Sequence, residues 1–116
     1  MRDELNKLAS RVEALDGPDF AIECQIEHLV SPHWTGEGAP KPYTRSLDAA
    51  KSLLPDGEGV GWSVCDGAGG PLAEVWAFNF DPDDFRELYH VYGGCCATPE
   101  QALCAAALRA RAEAQP

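Results

Sequence analysis

Residues 97–114, ATPEQALCAAALRARAEA, constrain the fold more than any other stretch of the chain. Thr98 is an N-cap, and Pro99 takes the first helical position, where its missing N–H costs nothing. Glu100 and Gln101 fill the first turn as a capping box, and the alanine-rich run to about Ala114 is strongly helical. This run is the only part of the chain that approaches low complexity, and no internal repeat is evident.

The N-terminal side supplies two more helices. Leu5, Leu8, Val12 and Leu15 recur at helical spacing from a start near Asp3, and Gly17-Pro18 ends the run. Pro18 is expected to open a second helix capped by Asp16 or Gly17, with Ile22, Ile26, Leu29 and Val30 as its stripe. Phe20, Ile22, Cys24 and Ile26 also alternate in a strand pattern, but the Gly-Pro start and the interspersed Glu and Gln favour helix. Residues 31–42, SPHWTGEGAPKP, form a loop, and loops are where binding residues tend to sit. Ser46 caps a short helix from Leu47 to about Leu54, with Leu47, Ala50 and Leu54 on one face.

Strand signals fill the middle. GWSVCD and LAEVWAFNF are separated by the glycine-rich turn GAGGP, and Leu88 to Tyr92 is a third strand ending at Gly93-Gly94. In the second run Ala73, Val75 and Ala77 alternate with Glu74, Trp76 and Phe78, so both faces carry apolar mass and both are expected to be covered at least in part. The 116 residues make one domain, long enough for a single core without disulfides or a metal. The expected fold is α+β, a layered helix-sheet-helix domain with a small, mainly antiparallel sheet of about three strands.

Charge excludes one function class. With 19 acidic against 9 basic residues, and the Lys and Arg scattered, direct nucleic-acid binding is not expected. An acidic face solubilises the chain or docks on a basic partner. No apolar run reaches the roughly 18 to 20 residues of a membrane span. MRDELNKLAS lacks the apolar core of a signal peptide, and the five cysteines are an odd number, so a reducing cytoplasm is expected.

No catalytic or metal motif stands out. Cys24 and His28 share a helix face at i and i+4, but His33, His90, Cys95 and Cys96 could complete a site only if the fold gathered them, so unligated residues are expected and no metal. Cys65, Cys95 and Cys104 lie in or beside apolar segments, where a thiol is usually inert. Asp81, Asp83 and Asp84 lack the spacing and final glutamate of a calcium loop and read as a turn. The glycines of GEGVGW and GAGGP read as turns rather than as a phosphate loop. The aromatic residues are the better candidates. Trp34 and Tyr43 bracket the proline-rich loop beside Lys41 and Arg45, and Trp62 and Trp76 come from neighbouring strands. Together the six could stack a planar base and hold a phosphate.

The order of elements resembles a known family. Two N-terminal helices closing on LDGPD, a loop leading to PYTRSLDAAKSLLP, the strand GVGWSV, a hairpin and the terminal helix ATPEQALCAAALRARAEA are similar to small phage and prophage proteins of the phage ABA sandwich domain family. The densest parts are Tyr43-Thr44, Ser46 to Ala50, Gly61-Trp62-Ser63 and Ala97-Thr98-Pro99, and the loop 31–42 matches least. The resemblance implies a helix-sheet-helix layered domain in a phage setting, acting in the host cytoplasm, with no established activity. Three functions are therefore expected in order. The first is a non-enzymatic accessory protein that sequesters a nucleotide-like signal of host defence. The second is an acidic inhibitor, of the anti-CRISPR type, that blocks a basic host effector. The third is a small hydrolase. No cofactor is expected, and a homo-oligomer is, because a small sheet leaves edges and apolar faces for a second copy.

Overall fold

A computed structural model describes residues 1–57 and 59–115. The elements follow in the order α1 (Arg2–Glu13), α2 (Phe20–Val30), α3 (Leu47–Lys51), β1 (Val60–Gly67), β2 (Gly70–Asn79), β3 (Arg86–Gly93) and α4 (Pro99–Glu113). The fold class is the expected one, α+β with a three-stranded antiparallel sheet in the order β1-β2-β3, which falls between the N-terminal and C-terminal helices in chain order.

The terminal helix is the centre of the molecule. Thr98 caps α4 by accepting from the Gln101 amide, with Pro99 at the first position. Gln101 also reaches out: its Nε2 donates to the carbonyls of Val12 and Leu15, tying α4 to the end of α1. Ala102 through Leu108, Ala110 and Ala112 are all buried, so the helix has no polar stripe. That follows from its place as the middle layer, with β2 and β3 against one side and α1 and α3 against the other. Alanine suits the place because a short side chain lets two layers approach closely at once.

The sheet is an outer layer. Ala73, Val75 and Ala77 face α4, and their partners Val60, Trp62, Val64, Tyr89, Val91 and Gly93 point the same way. The second face carries Ser63, Cys65, Glu74, Trp76, Phe78, His90 and Tyr92. The apolar mass there suggested a cover, but no described element packs on it. α1 and α3 spend their apolar faces on α4 instead.

Three local expectations shift. α2 begins two residues later than the Gly-Pro signal suggests, because Asp19, not Asp16 or Gly17, caps it by accepting from the Ile22 amide. The helical reading of 20–30 over the alternating one holds. α3 is shorter than expected: the Ser52 hydroxyl donates to the Ala49 carbonyl, and Leu53 and Leu54 continue in a tighter turn. Its buried side is accordingly Ala49, Ala50 and Leu53, while Leu47 is exposed.

Candidate functional site

α2 places two glutamates one turn apart on its inner side, next to Ile22 and Ile26. Glu23 is 2% exposed. Its Oε2 accepts from the Thr44 amide at 3.0 Å and hydroxyl at 2.7 Å, and the Arg45 guanidinium binds both oxygens at 3.2 and 3.1 Å. Glu27 accepts from the Ser31 hydroxyl at 2.6 Å, the Lys41 amide at 3.0 Å and the Tyr43 hydroxyl at 2.7 Å. The pair thus clamps the chain from Lys41 to Arg45 onto α2. Burial pushes the Glu27 carboxyl up, yet the bonds from Ser31, Lys41 and Tyr43 outweigh it and hold the group below its ordinary 4.5. Burial and Glu27 push the Tyr43 hydroxyl up, so it stays protonated as a donor. Glu13 is likewise lowered: burial opposes, but the Arg109 guanidinium and the Gly94 amide prevail.

A carboxyl with a depressed folded value stabilises the fold above its unfolded value, and that contribution is lost as pH falls through the folded one. Stability is expected to fall below about pH 4.5. The urea midpoint at pH 3.5 against pH 6 checks this, and a Glu27→Gln variant should show a shallower loss.

These contacts decide the standing of the six aromatic and cationic candidates. Tyr43 is buried at 1% exposure, and Lys41 through its amide and Arg45 through its side chain are held by the clamp. Trp62 pairs with Val75 and Trp76 with Gly61, which puts the two indoles on opposite faces of the sheet. Trp62 sits on the α4 side with the Lys51 ammonium 5.5 Å from its ring centre. Trp34 meets the edge of His28 at 4.6 Å between centroids. The fold does not bring these residues into one pocket.

The cysteines stay separate too. Cys65 and Cys95 are at the surface rather than in apolar surroundings, Cys96 and Cys104 are buried, and all five are free. Burial, then the charge of Glu13, pushes the Cys96 thiol up to about 11, which leaves it unreactive. Cys24 is half-buried and His28 exposed on α2, and among the described residues no three His, Cys, Asp or Glu side chains gather around a metal position. Asp81 closes a turn on itself, accepting from the amides of Asp83 and Asp84, and Asp84 pairs with Arg86 at 3.4 Å.

What the sequence left unassigned is the open sheet face. The Trp76 indole lies against Gly61, where a Cβ would stand 2.5 Å from the ring, so glycine is what lets the ring come this close to the strand. Trp76 meets His90 edge-on at 6.1 Å, and His90 stacks on Tyr92 at 4.8 Å. Beyond Trp76, Phe78, Phe80 and Phe85 form a triad with centroids 5.7 to 6.3 Å apart. Phe80, Phe85, Leu88 and Tyr92 are 58, 64, 53 and 47% exposed. Glu74 and Glu87 stand on the face, and Asp81, Asp83 and Asp84 line its phenylalanine end, against Arg86 and His90. A contiguous aromatic surface with an acidic rim is what the geometry offers.

No family model, no curated protein and no solved structure matches this chain. Among the described residues no helix is long and apolar enough to cross a membrane.

Proposed function

We propose that the protein is a non-catalytic interaction domain that docks its open sheet face onto a basic partner protein. The observation that carries this reading is the run Tyr92, His90, Trp76, Phe78, Phe80 and Phe85 on one uncovered face. Exposed apolar patches of this continuity mark interaction sites, and aromatic side chains are the usual anchors. The acidic rim selects the partner's chemistry. A second copy would bring five more carboxylates to a face that already carries Asp81, Asp83, Asp84, Glu74 and Glu87, in a chain of net charge −10. Arginine or lysine side chains would instead meet both carboxylates and aromatic faces. The phage setting implied by the family resemblance motivates a host effector as that partner.

A photo-crosslinking residue at Phe85, introduced in cells of a bacterial host, tests the proposal. The expected crosslink is to a basic protein, and the non-covalent complex isolated with that protein is expected to weaken with salt. Phe80→Ser with Phe85→Ser should weaken the isolated complex by about 30-fold, the equivalent of about 2 kcal/mol, while costing the fold little because both rings are exposed. A crosslink only to a second copy, a salt-insensitive complex or no crosslink overturns it.

A further inference from the structure

Across α4 from the sheet, α1 and α2 leave a groove of about 400 Å³ between them. Its floor is apolar, made by Leu8 of α1 and Leu29 of α2. Its rim carries Lys7, Arg11, Gln25 and His28. The spacing explains the arrangement, since Lys7, Leu8 and Arg11 fall on one side of α1 while Gln25, His28 and Leu29 fall on the facing side of α2. The Arg11 guanidinium donates to the Gln25 Oε1, a neutral acceptor that orients the fork without cancelling its charge.

Of the nine basic residues, Arg2, Arg45, Arg86 and Arg109 pair with a carboxylate. Among the described residues Lys7 and Arg11, like Lys41, Lys51 and Arg111, have no carboxylate within ion-pair distance, and of these five Lys7 and Arg11 line the groove together. Glu4, an exposed carboxylate, also lines the groove. Trp34 adds aromatic surface just outside, edge-on to His28.

We infer that this groove binds a small organic anion with a flat apolar body, the body lying on Leu8 and Leu29 and the anionic group meeting Lys7 and Arg11. Phosphorylated and carboxylated aromatic molecules, nucleotides among them, share this chemistry. The inference is independent of the sheet face, because the two surfaces share no residue. An apolar floor supplies affinity through burial and the cations supply selection by charge.

Titration of the full chain with 2-naphthyl phosphate, followed by calorimetry and by amide shifts, tests it. Binding of one molecule per chain is expected, with shifts confined to residues 4–11, 25–29 and 34. Lys7→Gln with Arg11→Gln should weaken it at least tenfold, as should replacing the probe with neutral 2-naphthol. Both side chains are exposed, so the double variant keeps the fold. Cyclic mononucleotides and ADP-ribose, run in parallel, report whether a nucleotide shares the groove. Naphthyl phosphate binding that is absent, that survives the double variant, or that is lost instead in the Phe80→Ser/Phe85→Ser chain overturns the inference.

Discussion

Glu23→Ala is expected to destabilise the protein by about 3–5 kcal/mol, the range for removing one partner of a buried charged network. The cause is what the truncation strands. The Thr44 amide and hydroxyl lose their acceptor in a place where Thr44 has no exposure to water, and the Arg45 guanidinium loses both of its bonds. An unsatisfied buried donor costs about 1–3 kcal/mol, and several are stranded at once. Glu23→Gln keeps the shape but turns an amide donor toward the donors of Thr44 or Arg45, so its loss should lie between alanine and wild type. Arg45→Ala should cost about 1 kcal/mol or less, since Arg45 is 47% exposed and water can take its place on the carboxylate. Urea unfolding of the three variants measures the order. A loss below 1 kcal/mol for Glu23→Ala would sink the view that this residue holds the 41–45 segment in place.

The same network shows where the sequence stops being readable. Lys41, Tyr43 and Arg45 look like ligand-binding residues because nothing near them in the chain accounts for them. Their partners lie 14 to 22 positions away, on a helix. The sign that was available is the spacing of Glu23 and Glu27, each one residue after Ile22 and Ile26 and therefore turned toward the same side of α2. The caps Thr98 and Ser46 were legible because each bonds within three residues, whereas Asp19, just as local, was hidden by the Gly17-Pro18 start signal beside it. Register was not, because it depends on the length of the turn. The hairpin closes on Gly67 and Gly70 with two residues between them, and that parity sets Trp62 and Trp76 on opposite faces. The alternation of β2 gave both faces correctly, but which one is covered depends on where α4 comes to rest. α4 lies in the middle of the molecule, so the helices are used up on one side and the aromatic face is left open.

Gly93→Ala is expected to cost about 3 kcal/mol or more, at the upper end for overpacking, because the added methyl group has nowhere to go. Gly93 pairs with Ala73 and points at α4. A Cβ there would stand 2.1 Å from the Ala102 carbonyl oxygen and 2.7 Å from the Ala106 amide nitrogen. Those two atoms are the acceptor and donor of one turn of the helix, so the methyl would wedge into a backbone hydrogen bond rather than against a side chain that can rotate. Relief requires α4 and the sheet to part, and a gap of even 0.5–1 Å forfeits a quarter to a half of the dispersion energy across it. Ala73, Val75 and Leu103, all buried without residual exposure, belong to the core that such a gap would loosen. Gly17→Ala is the matched control, since its Cβ meets nothing within 4 Å, and it should change stability by no more than about 0.5 kcal/mol. Thermal unfolding should then separate the two by roughly 10 °C or more. Equal melting temperatures would mean that α4 does not lie against β3 at Gly93, and the central place of the alanine-rich helix would have to be given up.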